Sequence, residues 1–260
     1  MKLCNLALIV LLAALAGAAG GSDLLREERI AKEIEETILS GYPLRLRADG
    51  IEFLAIHRES AVAQRRGGVV ILHGRNANPD WHGVIHPLRS QLPDSGWETL
   101  SIQLPVTSLD APEESYQALI SESFPRIASA INFYQQRGVE RIALIGHSLG
   151  VRMALEFLAA NPDVRVRAVV AVGMSASRST PVSGNLLALQ KVNLPILDIY
   201  GSSDFDAVLT TAPLRLAEAH RAGNQAYRQL EVPGADHFFS GLDDLLVQRV
   251  RAWLQRIFSH

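Results

Sequence analysis

Two kinds of apolar pattern alternate along this chain. Nearly continuous runs occupy residues 68–73 (GVVILH), 99–104, 141–145, 167–172 and 194–200, with a weaker run at 227–232. Runs of this length, rich in β-branched residues, suit strands buried on both faces of a parallel sheet, whereas a half-exposed strand would alternate. Between them lie stretches of helical spacing at 83–92, at 124–136 ending near Gly138, and at 149–161 ending at Pro162. Three more cover 185–192, 212–222 ending at Gly223, and 242–258. Strand and helix in turn imply βαβ units, hence a mostly parallel sheet with helices on both faces.

The N-terminal part reads differently. Ile30, Ile34 and Ile38 recur at four-residue spacing among charged residues, which predicts an amphipathic helix over about 23–40 that Gly41 terminates. Residues 43–47 and 51–57, parted by Ala48-Asp49-Gly50, read as a hairpin. Further upstream, Lys2 precedes the apolar residues 6–15 (LALIVLLAAL) and the small residues Ala16-Gly17-Ala18. That is the layout of a secretory leader at 1–18, too short for a comfortable membrane span. Cleavage after Ala18 would leave one domain at 19–260, periplasmic or secreted; an uncleaved leader would anchor it instead. Cys4 precedes the apolar stretch, where lipoprotein acylation does not occur.

Composition removes other classes. The 260 residues are 48% apolar with a formal charge of -2, enough buried surface to offset the entropy of ordering. Twenty-five basic against 27 acidic residues, without a dense basic run, leave no footprint for nucleic acid. A single cysteine excludes a disulfide framework and a cysteine-based zinc site. No cofactor is implied.

The chemistry centres on Gly146-His147-Ser148-Leu149-Gly150, between a strand pattern and a helix pattern. A serine on so tight a turn needs glycines on both sides, and the turn lifts its hydroxyl above the sheet edge. The following helix aims its free amides and positive dipole end at charge developing there. A nucleophilic serine needs a base and an orienting acid. Asp204 follows the run at 194–200, and His237 follows the run at 227–232, so Ser148, Asp204 and His237 stand at the carboxyl ends of three strands. Asp206 and Asp236 compete for the acid role; the Gly-x-x-Asp spacing from Gly201 favours Asp204. Asp198, inside a predicted strand, must be paired.

On these motifs the chain resembles the α/β-hydrolase superfamily over about three quarters of its length. More narrowly, LHGRNANPDW (72–81), GWETLSIQLP (96–105), IGHSLG and DIYGSSD resemble a family of exported bacterial α/β-hydrolase-like proteins of unassigned function. The resemblance implies an α/β-hydrolase fold with about eight strands. It implies Ser148 as nucleophile, His237 as base and Asp204 as its orienter, with the backbone amides of Leu149 and Arg75 as oxyanion donors. Arg75 and Asn76 follow Gly74 directly, where many lipases carry a glycine run, which leaves the second donor open.

His73, Asn76, Trp81 and His147 are expected to surround a small-molecule or acyl-containing substrate. His82 and His86 have zinc-like spacing, but Gly83 stands where a metalloprotease carries its glutamate, and no metal is expected. About twenty residues separate Val172 from Leu194, which leaves a minimal lid or none. The expected function is an exported serine hydrolase cleaving a carboxylic ester, or a thioester or amide. A peptidase or acyltransferase on the same residues, and an envelope binding or scaffold protein with little turnover, are the alternatives.

Overall fold

The computed structural model describes residues 21–177 and 183–259, so the expected leader lies outside the described residues. Among the described residues no helix is long and apolar enough to cross a membrane. Helix α1 (Leu24–Thr37) opens the described chain; the Asp23 side chain caps it by accepting the Arg26 N–H at 2.9 Å. It ends earlier than the spacing predicts: Ile38 is already extended (ψ 128°). Gly41, with φ +85°, instead begins the approach to β1.

Strands β1 (Tyr42–Ala48) and β2 (Ile51–Arg58) form the predicted hairpin, turned by Asp49 and Gly50 at φ +48° and +80°. Then follow β3 (Gly67–Leu72), α2 (Ile85–Gln91) and β4 (Trp97–Ile102). Helix α3 (Ser115–Glu122) is one the sequence reading omits; α4 (Phe124–Gln136) comes directly after it. Only Ser123 parts the two, because Pro125 has no N–H with which to continue α3. Next come β5 (Ile142–His147), α5 (Leu149–Ala160), β6 (Ala168–Val172), α6 (Gly184–Leu189) and β7 (Ile196–Gly201). The short α7 (Asp206–Leu209), α8 (Ala212–Arg221), β8 (Tyr227–Val232) and α9 (Asp243–Ile257) complete the order.

The eight strands form one sheet in the order β1-β2-β4-β3-β5-β6-β7-β8, with β2 antiparallel to its neighbours and all later pairs parallel. Every residue of β3 through β7 is buried, as continuous apolar runs require. Val69, Ile71, Ala143 and Ile145 pack on one face with Leu88 of α2 and Leu246 and Val250 of α9. Val70, Leu72 and Leu144 pack on the other with Ile127 and Ile131 of α4 and Val151 and Leu155 of α5. Each such side chain, fully buried, contributes roughly 1.5–3 kcal/mol.

Two buried polar fastenings hold the periphery. Glu27 of α1 accepts from Arg126 Nη1 at 2.6 Å and from the Val106 N–H at 3.1 Å, docking α1 on the sheet's carboxyl end. Burial pushes the Glu27 carboxyl up, against the pull of Arg126. Asp198, in mid-β7, accepts from Arg215 Nε (2.8 Å), Tyr227 Oη (2.5 Å) and Gln229 Nε2 (2.9 Å), which gives the buried strand carboxylate its partners.

Candidate active site

Ser148 joins β5 to α5 at φ +52°, ψ -115°, a conformation that a side-chain-bearing residue adopts only at a cost. The flanking glycines are obligatory for reasons of space. A Cβ on Gly146 would lie 2.6 Å from the Val151 nitrogen, and one on Gly150 would lie 2.3 Å from the Leu72 carbonyl oxygen. The elbow is tied down by the Ser148 N–H, which donates to Val172 O at 2.9 Å. Leu149 is the first residue of α5, so its amide belongs to the helix's unpaired first turn. Gly74 presses on the elbow, the position of its absent Cβ being 3.2 Å from Ser148 Cβ, which brings the amide of Arg75 to the same corner.

Across this corner, His237 Nδ1–H donates to Asp204 Oδ1 at 2.6 Å, which leaves Nε2 as the free lone pair of the ring. Asp204 Oδ1 also accepts the Phe205 N–H at 2.7 Å, and both residues are buried. Asp206 is exposed at the start of α7. Asp236 turns into its own loop, where its Oδ1 accepts from the N–H groups of Ser240 (2.9 Å) and Phe238 (3.0 Å). Those bonds hold its carboxyl below the usual range. Of the three carboxylates, Asp204 is the one bonded to His237. Among the described residues Ser148 Oγ has no hydrogen-bond partner, although the ring of His237 covers Gly173, the residue after Val172.

His147 braces the site. Its Nε2–H donates to the backbone O of His237 at 3.0 Å and its ring lies 4.8 Å from that of His237. Burial, aided by the nearby His237, lowers its pKa to about 4, so it stays neutral. His147 is thus buried behind His237, bonded to its backbone.

His73 and Asn76 are held by protein partners as well. Both nitrogens of the buried His73 ring are engaged: Nδ1–H donates to Gly74 O at 2.9 Å, and Nε2 accepts the Leu104 N–H at 3.0 Å. Burial depresses its pKa to about 4. Asn76 Oδ1 accepts from Arg26 of α1 (3.1 Å) and Tyr116 Oη of α3 (3.2 Å), so its carboxamide anchors a loop. The Arg75 guanidinium pairs with Glu113 and lies 4.0 Å over the Tyr116 ring. Trp81 lines a cleft together with His82 and Phe238. His86 Nδ1 pairs with Asp80 at 2.7 Å, and among the described residues no three His, Cys, Asp or Glu side chains are grouped to hold a metal.

Sequence reasoning missed three neighbours of His237. Gly173, at φ +65°, leaves room for the ring: a Cβ there would lie 2.8 Å from His237 Cε1. Its signal was a glycine directly after a buried strand, at the same edge as Ser148. Phe205 stacks on His237 at 4.3 Å and Phe238 meets it edge-on at 5.2 Å. Each directly follows a residue already singled out.

The family described as "Protein of unknown function (DUF3530)" matches residues 26–123 and 108–256. No curated protein matches the sequence significantly. Among solved structures the chain is similar to Est1E from Butyrivibrio proteoclasticus (TM-score 0.65, 15% identity, 85% of this chain and 100% of that one). It is similar to a dienelactone hydrolase from Anabaena variabilis (0.61, 21%, 84% and 97%). An α/β serine hydrolase homologue from Coxiella burnetii aligns comparably (0.58, 14%, 85% and 98%). At these identities the likeness establishes a shared α/β-hydrolase fold.

Proposed function

The chain belongs to the DUF3530 family and has an α/β-hydrolase fold, and from this premise we propose that it is an exported serine hydrolase acting on a carboxylic ester. The observation that carries the reading is the strained Ser148 elbow standing beside a buried Asp204–His237 pair of 2.6 Å. In this mechanism Ser148 Oγ attacks the ester carbonyl while His237 Nε2 takes its proton. Asp204 keeps the ring in the Nδ1–H tautomer and stabilises the imidazolium. The tetrahedral oxyanion is met by the amides of Leu149 and Arg75; one such donor is typically worth a factor of about 10² to 10³ in turnover. Collapse expels the alcohol, which takes the proton from His237. Water, deprotonated by the same nitrogen, then releases the acid and restores Ser148. Export rests on Lys2, the apolar residues 6–15 and the small residues ending at Ala18.

A binding protein without turnover is favoured by one observation, the missing bond between Ser148 Oγ and His237. Such bonds are often long before substrate arrives, and the hydroxyl reorients about a single bond. Labelling with a fluorophosphonate probe at neutral pH separates the two readings. Covalent labelling that disappears in Ser148→Ala is expected; no Ser148-dependent labelling removes the hydrolase reading.

A further inference from the structure

Beside His237 lies a cleft of about 540 Å³, walled by Trp81, His82 and Gly83 on one side and Phe238 to Gly241 on the other, with Asp243 at its rim. That volume suits a drug-sized group. Four of its lining residues carry rings and none carries a branched aliphatic chain, unlike a channel built for an acyl tail. His82 lies against the Trp81 indole at 5.1 Å and 34°. Phe238 is shared: its ring touches His237 at 5.2 Å and also forms the cleft wall. The cleft therefore begins one residue from the base.

Two further observations suggest a maintained feature rather than a surface dent. First, Phe239 holds φ +54°, an outlier for a bulky residue, although it is fully buried. Its turn is clamped by Asp236, which accepts the N–H groups on either side, and the strained turn presents Phe238 outward. Second, Gly83 keeps the cleft open. The position of its absent Cβ is already in van der Waals contact with Phe238 O (3.4 Å), Phe238 Cβ (3.6 Å) and Trp81 Nε1 (3.6 Å), so a branched side chain there would project into the cleft.

We propose that this cleft is a subsite for a planar aromatic group, neutral or cationic, belonging to the substrate cleaved at Ser148. The occupant's place in the substrate rests on the hydrolase reading above; the aromatic preference rests on the cleft alone. Indole and phenyl faces favour a flat partner that offsets or meets them edge-on. The Asp243 carboxylate and the Phe238 carbonyl oxygen, which lies 3.4 Å from where a Cβ of Gly83 would stand, disfavour an anion, and no Lys or Arg lines the cleft.

Calorimetric titration of the Ser148→Ala protein with 2-naphthol, 2-decalol and 2-naphthoate tests this without turnover. The naphthol should bind about tenfold more tightly than the saturated alcohol of the same skeleton, and more tightly than the carboxylate. Gly83→Val should weaken naphthol binding about tenfold, and Phe238→Leu, which keeps apolar volume, should bring naphthol and decalol to similar affinities. Equal affinities in the starting protein, or undiminished naphthol binding in Phe238→Leu, would overturn the proposal even if Gly83→Val failed to fold. Fluorophosphonate labelling of the wild type reads Ser148 separately, so failure of the subsite and failure of the hydrolase are distinguishable.

Discussion

Replacing Gly173 by alanine probes the space that His237 occupies. The new Cβ would lie 2.8 Å from His237 Cε1 and 2.9 Å from Nδ1, whereas carbon atoms settle at about 3.5 Å or more. The ring would have to retreat by about 0.7 Å, which would lengthen its 2.6 Å bond to Asp204 by up to that amount. Displacements of about 1 Å in a reacting group can cost about a hundredfold, so the rate of Ser148 acylation should fall by about ten- to hundredfold. The left-handed φ of +65° adds a conformational cost of about 1–2 kcal/mol. Gly223→Ala separates the two effects, because Gly223 has φ +82° with nothing within 4 Å of the Cβ position. It should lower the melting temperature comparably and leave acylation unchanged. The assay is the second-order rate of fluorophosphonate labelling, read beside thermal melts of both variants. Wild-type labelling by Gly173→Ala, or equal slowing in Gly223→Ala, would refute the reasoning.

Two other outcomes test the surroundings of the site. Asp204→Asn should reduce ester turnover by about 10⁴, the scale of loss when a triad carboxylate is neutralised, whereas Asp206→Asn, exposed on α7, should leave it unchanged; equal effects would reassign the acid. His73 and His147, both lowered from 6.5 to about 4 by burial, make the unfolded chain the stronger proton binder below pH 6.5. Their stabilisation is therefore full above that pH and lost on acidification, roughly 2 kcal/mol for each between pH 7 and 4.5; urea unfolding should show it, with a shallower pH slope in His147→Gln.

The parts of the fold legible in the sequence were those with one dominant physical cause. Strands β3 to β7 announce themselves because burial on both faces makes them mostly apolar, with only isolated polar residues such as Asp198 that find partners. Ser148, Asp204 and His237 could be singled out as candidates because chain order and strand ends limit where such residues stand. Helix α3 carries only Tyr116, Leu119 and Ile120 on its buried side, too short a stretch for periodicity to register before Pro125 starts α4. The end of α1 depended on where Ile38 turns extended, which no terminator residue marks. Roles that depend on distance were invisible for another reason. His73 and Asn76 belong to the loop after β3 and His147 directly precedes Ser148, and only coordinates reveal that their polar atoms bond backbone carbonyls, amides and loop partners. Gly173 illustrates the converse, since an absent side chain has no pattern until its neighbour is known.

The loop bearing His237 leaves from β8, which pairs only with β7 and has four of its six residues at least partly exposed. What keeps that strand in register is polar: Tyr227 and Gln229 both bond Asp198. Proteins open in sub-global units whose free energies fall well below that of global unfolding, and edge strands with little apolar cover are natural members of the weakest unit. The working lifetime of the site is then governed by fraying of its border rather than by melting of its centre. Removing the Gln229 bond to Asp198, which leaves the buried Arg215–Asp198 pair intact, would shorten that lifetime, and speed amide exchange along β8, while the bulk of the sheet remained nearly as resistant to heat as before.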